Sequence, residues 1–300
     1  YRLGGGMVMM SQTDDSFAST SWTFEHNILQ NMSYFYIPGE DSAKPWLIDH
    51  RGHLDFTFLD NLVKNNPYPF GMRLWSQPGN ITNLDVRNNV WRDNSYMAFN
   101  IKQAQGVIAN NRFIETRSLP ADFSPTDTAS DDWNAFQSGL LLNDTGFGSL
   151  VIENNEFIST TTAIVLYQHL DGEVTVRNNR FDGTLYQSIL AGRGDRDLNE
   201  GLPSDQFDLE GLTIHDNAFV NYAGTVKELS YTRIDEDDPN YPKVVPPGTD
   251  LGGVVEVDAA CNYFGTDPPE AYFTSRVDVY VSETGGFTVE PYRVEGPDGP

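Results

Sequence analysis

The sequence predicts an all-β chain wound as a right-handed, single-stranded parallel β-helix, a solenoid with long loop insertions. Three observations predict it. One short motif recurs eight times, its tightest spacings are 22 and 24 residues, and its apolar positions stand two apart rather than three or four.

The motif is an apolar residue, any residue, an apolar residue, two positions, Asn, one position, and a large apolar residue. Its asparagines are Asn27, Asn61, Asn89, Asn111, Asn155, Asn179, Asn217 and Asn262. Three residues before them stand Phe24, Phe58, Val86, Ile108, Ile152, Val176, Ile214 and Ala259. Two residues after stand Leu29, Val63, Trp91, Phe113, Phe157, Phe181, Phe219 and Phe264. Apolar side chains two apart share one face of a strand. In six of the eight copies the residue before the Asn is Asn or Asp, which tolerates the left-handed backbone of a sharp corner. One such corner cannot bury its apolar face, but stacked copies can. Stacked Asn side chains can also bond along the axis and satisfy one another's buried amides.

The asparagines are spaced 34, 28, 22, 44, 24, 38 and 45 residues apart. The short steps give one coil. The 44-residue step is two coils with one Asn missing, or one coil with a long loop. Leucine-rich repeats share the period and an Asn, but would place Leu at most inner positions. Here those positions are β-branched and aromatic. Residues 1–294 are read as one β-helix domain, a piece of a longer chain, and 295–300 as a linker-like tail.

Composition narrows the function classes. The formal net charge is -24, from 19 Lys+Arg against 43 Asp+Glu. That field repels polyanions and counts against nucleic acid and anionic membrane surfaces as partners. No apolar run is long enough to insert into a membrane. The single cysteine, Cys261, permits neither an internal disulfide nor a Cys-based metal centre.

Leu150-Val151-Ile152-Glu153-Asn154-Asn155-Glu156-Phe157 and Val174-Thr175-Val176-Arg177-Asn178-Asn179-Arg180-Phe181 resemble the parallel β-helix repeats of the pectate-lyase-like superfamily. Val257-Asp258-Ala259-Ala260-Cys261-Asn262-Tyr263-Phe264-Gly265 resembles a motif that closes such helices in large surface proteins. There it leads into a final extended segment, here Val277–Val281 and Phe287–Pro291. The resemblance covers residues 20–290 and implies the fold. The superfamily holds lyases, hydrolases, tailspikes, adhesins and structural domains, so it implies no single activity. Its hydrolases carry Asn-Thr-Asp, Asp-Asp, Gly-His-Gly and Arg-Ile-Lys in series, and that set is absent here. Its lyases need a Lys or Arg base beside Ca²⁺-binding acids. Five Lys stand in this chain, none in such a constellation.

Several local clusters are candidate sites. Insertions at 38–53, 192–211 and 231–253 are expected after a first strand, on one side of the solenoid, and 116–137 after a third strand. His50, Arg51 and His53 gather a base and a cation that could neutralise a uronate. The plain alternative is a salt-bridged polar loop. Arg193 and Arg196 could hold an acidic sugar, or pair within their own loop. Asp235, Asp237 and Asp238 are hard oxygen donors suited to Ca²⁺, without the spacing of a Ca²⁺ loop. Trp46, Trp75 and Trp133 lie outside the repeat and are the aromatic platforms expected to stack on a sugar, whereas Trp22 and Trp91 are expected in the core. Sequons at Asn31, Asn80 and Asn143 occur at chance frequency.

The sequence therefore points to an extracellular or cell-surface β-helix domain, non-catalytic, serving as a structural, adhesive or glycan-contacting module. Its partners would be extracellular glycans or neighbouring domains and subunits of a surface assembly. The alternatives are a polysaccharide lyase or hydrolase on an acidic glycan, with His50, Arg51, His53, Arg193 and Arg196 as its groups, and a tailspike-type receptor binder.

Overall fold

A computed structural model of the chain describes residues 8–11, 20–30, 48–51, 54–66, 71–76, 81–94, 98–115, 139–143, 148–167, 172–192, 211–224, 227–232, 256–265, 273, 275–279 and 286–294. Within them, 24 strands form three parallel sheets, and the chain visits sheets A, B and C in turn.

Sheet A holds β1 (Val8–Ser11), β4 (Ile48–Arg51), β7 (Met72–Trp75), β10 (Phe99–Lys102), β13 (Leu140–Asn143), β16 (Thr162–Tyr167), β19 (Gln187–Gly192) and β22 (Leu229–Thr232). Sheet B holds β2 (Thr20–Glu25), β5 (Leu54–Leu59), β8 (Thr82–Arg87), β11 (Ala104–Ala109), β14 (Leu150–Glu153), β17 (Val174–Arg177), β20 (Leu212–His215), β23 (Glu256–Asp258) and β24 (Gly286–Thr288). Sheet C holds β3 (Ile28–Gln30), β6 (Leu62–Lys64), β9 (Val90–Arg92), β12 (Arg112–Ile114), β15 (Glu156–Ile158), β18 (Arg180–Asp182) and β21 (Ala218–Val220).

The parallel β-helix expected from the repeat is the observed fold, and the asparagines align in one column. From Asn27 to Asn262, the backbone N–H and the Nδ2 of each asparagine both donate to the Oδ1 of the next, at 2.8–3.0 Å. The second Nδ2 hydrogen reaches back to the carbonyl three residues before the preceding ladder Asn, as from Asn111 to Val86 and from Asn155 to Ile108. Each interior amide thus fills two acceptor and two donor positions, which is why a polar side chain can be 0–2% exposed here. The residue before every ladder Asn is left-handed, with φ between 53° and 58°, His26 and Cys261 included.

The interior follows from strand alternation. Leu54, Phe56 and Phe58 of β5 point inward and Asp55, Thr57 and Leu59 outward. After the Asn corner, Phe113, Phe157, Phe181, Phe219 and Phe264 stack with centroids 4.8–5.3 Å apart and planes within 12°. That spacing is set by the strand separation of the sheet itself, so an aromatic at this position meets its copies face to face.

The structure decides one open alternative and corrects two expectations. The 44-residue step is one coil, because Gly106 of β11 pairs directly with Leu150 of β14. The 38–53 insertion does not follow a first strand. Ile48–Arg51 is a sheet A strand, and the chain before it leads from β3 to β4, the same type of connection as the one that carries 116–137. Trp22 is only partly buried, and among the described residues its strand pairs on one side only, with β5. The insertions 192–211 and 231–253 do follow sheet A strands.

The closing segment is a sparse ninth coil. Val277 bridges to Leu229, β24 pairs with β23, and Arg293 bridges to Tyr263. That register puts Tyr292 where the next ladder Asn would stand. The ladder ends there, and Phe273 packs edge-on against both Phe264 and Tyr292.

Candidate outer-face site

Because the interior is filled, chemistry must sit on the outer faces, and the three faces differ. On sheet A, Asn100, Leu141, Val165 and Leu190 align on successive rungs. They are 0–9% exposed but stand outside the core cluster, so this stretch of the outer face is itself covered. Sheet C strands are three residues long and carry the ion pairs Arg112–Glu156 (2.7 Å) and Arg180–Asp182 (3.0 Å). Sheet B presents the open face.

A groove of about 380 Å³ runs across β5, β8 and β11, lined by Asp55, Thr57, Asn83, Asp85, Gln105 and Ser149 among others. Strand alternation turns these side chains outward. Gln105 Nε2 donates to Asn83 Oδ1 at 2.6 Å, and Asn83 Nδ2 donates to Asp55 Oδ1 at 2.6 Å. Asp85 is held by Arg87 at 2.5 Å. Gly106 also lines the groove. Its φ is +113°, and a Cβ there would lie 2.2 Å from the Leu84 carbonyl oxygen. The groove offers carboxylate, amide and hydroxyl groups repeated at the strand spacing, about 4.8 Å. Such a row suits hydrogen bonding to an extended polyhydroxylated chain.

Of the residues singled out from sequence as candidate sites, the described ones belong to sheet A strands and not to this groove. Trp75 lies in β7 of sheet A, half-buried, with its Nε1 donating to Asn100 Oδ1 at 2.9 Å. Arg73 Cζ and Lys102 Nζ stand 4.8 and 4.4 Å from its ring centre. It is a cation-holding aromatic and not an open platform. His50 and Arg51 belong to strand β4, not to a loop, and Arg51 is in register with Trp75. His53, Trp46, Trp133, Arg193, Arg196, Asp235, Asp237, Asp238, Asn31 and Asn80 lie outside the described residues. Asn143 ends β13. Among the described residues no three His, Cys, Asp or Glu side chains gather closely enough to hold a metal ion. No helix among them is long and apolar enough to cross a membrane.

Two features escaped sequence reasoning. The first is a second ladder. Asn66 Nδ2 donates to Asn94 Oδ1 at 2.7 Å, and Asn94 Nδ2 to the Val63 carbonyl at 3.0 Å, after left-handed Asn65 and Asp93. The signal was an Asx-Asn pair whose Asn falls five residues after Asn61 and Asn89. Thr160 and Thr184 occupy this place in later coils.

The second is a buried polar cluster. Ser188 Oγ lies 2.6 Å from Glu228 Oε1 and 3.0 Å from Thr184 Oγ1, while Glu228 Oε2 has no hydrogen-bond partner among the described residues. Burial pushes the Glu228 carboxyl up to about 8, against the opposing pulls of the Ser188 hydrogen bond and the Arg276 charge. Burial also raises the Tyr186 phenol. No motif marks Glu228, which stands alone between β21 and β22.

No curated protein and no solved structure matches the chain. One family model does, described as a right handed beta helix region, over residues 16–199. That span exceeds half of the sequence and carries six of the eight ladder asparagines. With three parallel sheets wound coil upon coil along it, the chain belongs to the right-handed β-helix family.

Proposed function

We propose that the chain is a non-catalytic domain of an extracellular or cell-surface assembly, a rigid structural and adhesive module that touches glycans along the sheet B groove. The observation that carries this reading is how the outer-face charges are used. Arg112 pairs with Glu156, and Arg177 with Glu153 on the neighbouring rung, while Arg87 pairs with Asp85 and Arg180 with Asp182 on their own strands. Groups spent on one another along a stiff rod support a surface built for contact and solubility. The groove residues Asn83 and Gln105 are neutral hydrogen-bonding groups, in keeping with a hydroxyl-rich ligand.

Two assays test it. Electrophoresis through gels containing soluble polysaccharides should retard the protein in at least one, and the Asn83→Ala/Gln105→Ala double variant less. Incubation with a panel of uronate polysaccharides should give no unsaturated, ultraviolet-absorbing product, and its appearance would replace this reading with a lyase. That second reading draws on Arg73 and Lys102 around Trp75, beside the backbone position of Arg51, since clustered cations suit a uronate.

A further inference from the structure

The sheet B groove has a polarity that narrows what it takes. Asp55, Asn83 and Gln105 form one outward row, in register on successive strands. Both hydrogen bonds along the row run the same way, from Gln105 to Asn83 to Asp55, so it ends on a carboxylate. Asp85 stands in the next column, where Arg87 engages its Oδ1. Among the described residues no group donates to Asp85 Oδ2 or to Gln105 Oε1. What the groove offers outward is therefore rich in acceptors.

Charge points the same way. Two carboxylates line the groove, and among the described residues no Lys, Arg or His does. The stretches of sequence that lead into β2, β5, β8 and β14, residues 12–19, 52–53, 77–80 and 144–147, contain Asp14, Asp15, Asp144 and one His, and neither Lys nor Arg. The arginines of this face, Arg87 and Arg177, stand in a third column beside the Asn corner and are paired with Asp85 and Glu153. With a net charge of -24, the chain attracts polycations and repels uronate or sulfated chains.

The shape of the face favours a sugar chain over a basic peptide. Val107, Val151 and Thr175 continue the column of Thr57 and Asp85, all half-buried, and give a flat floor of β-branched side chains. The strands beneath are inner strands, paired on both sides, whereas an extended peptide gains its affinity by adding to a free edge. A pyranose ring needs no strand edge and can lie on the floor with its polar groups toward the row.

We propose that the groove takes a glycan carrying positively charged amino groups, of which a glucosamine polymer is the simplest. Asp55 and Asp85 receive its ammonium groups, and Gln105 Oε1 accepts from a hydroxyl. The inference rests on the glycan-contacting reading above and names the class of sugar.

Calorimetric titration in mildly acidic buffer, where amino sugars are protonated and aspartates ionised, tests it. The probes are the hexamers of glucosamine, N-acetylglucosamine and galacturonic acid, and a lysine hexapeptide. The glucosamine hexamer should bind about tenfold more tightly than the N-acetylated hexamer and the peptide, more weakly as salt rises, and the galacturonate should give no heat. Asp55→Asn/Asp85→Asn should lose about tenfold for the glucosamine hexamer. Glu156→Gln/Asp182→Asn removes the same charge from sheet C and should stay within about twofold. An equal loss in both variants would mean attraction to the whole chain and not to the groove. Equal binding of the lysine hexapeptide would mean that the groove takes any cation. An N-acetylated or galacturonate hexamer that binds as tightly would give the groove a different sugar. Each overturns the proposal, and the last leaves the glycan reading standing, whereas silence from every sugar, here and in the gels, sinks both. If the groove variant does not fold, the ranking of the four probes on the parent protein still decides.

Discussion

Replacing Glu228 by Gln should stabilise the protein at neutral and alkaline pH and do nothing of the kind in acid. Glu228 is 1% exposed, and its Oε2 has no hydrogen-bond partner among the described residues. Its carboxyl is raised from 4.5 to about 8, with desolvation the largest cause. A carboxyl raised by folding holds its proton in the native state while the unfolded chain releases it. Stability is therefore intact below pH 4.5 and is lost progressively as pH rises from 4.5 to 8. Each pH unit in that window costs about 1.4 kcal/mol, so the loss is of order 3 kcal/mol at pH 7 and 5 kcal/mol at pH 8. Gln is nearly isosteric and never ionises, and its buried amide costs about 1 kcal/mol. Denaturant unfolding of both proteins at pH 4, 6 and 8 is the assay. The variant should be no more stable than the parent at pH 4 and should overtake it by pH 6 to 7, with a flatter pH profile. Parallel profiles across the range would refute the reasoning, because they would mean Glu228 ionises in the native state as readily as in water.

Four further predictions concern the fold. Asn111→Leu should cost about 4 kcal/mol in denaturant unfolding, because it strands the Asn89 N–H and one Nδ2 hydrogen in a dry interior and removes the side-chain donors to the Val86 carbonyl and to Asn155 Oδ1, which keeps only the backbone N–H of residue 111. Phe181→Ala opens a cavity between Phe157 and Phe219 and should cost about 3–5 kcal/mol by the same measurement. Gly106→Ala places a Cβ 2.2 Å from the Leu84 carbonyl oxygen at a φ of +113° and should lower the thermal midpoint, at a cost of about 3 kcal/mol. Cys261→Asn puts the non-glycine residue most tolerant of left-handed backbone at a φ of 58° and should raise the midpoint, worth roughly 0.5–1 kcal/mol.

Much of the fold was legible because its constraints repeat. A buried Asn must be matched by another Asn one coil away, so the ladder writes itself into the sequence eight times. Phe after the corner repeats for the same reason, since ring meets ring at the strand spacing. The second corner was not legible, because only Asn66 and Asn94 mark it before Thr160 and Thr184 take over. A Thr at a corner has no local signature. The 44-residue step could not be resolved either, because a loop leaving the solenoid is not constrained by the register it leaves and rejoins.

The site was poorly legible for a deeper version of that reason. Inward residues answer to a shared geometry, whereas outward residues answer only to whatever touches that rung. Asp55, Asn83 and Gln105 sit at equivalent outward positions of three successive strands, yet share no residue type and define no motif. What joins them is a hydrogen-bond chain that exists only once the coils are stacked. Adjacency along the chain is a poor guide for the converse reason. Alternation sends adjacent side chains to opposite faces of a strand, so neighbours in sequence are divided and neighbours in function lie one coil, some 22 to 45 residues, apart. For a solenoid of this kind, a site is to be sought down a column of equivalent positions, and the first column to examine is the one whose outer face the fold leaves uncovered.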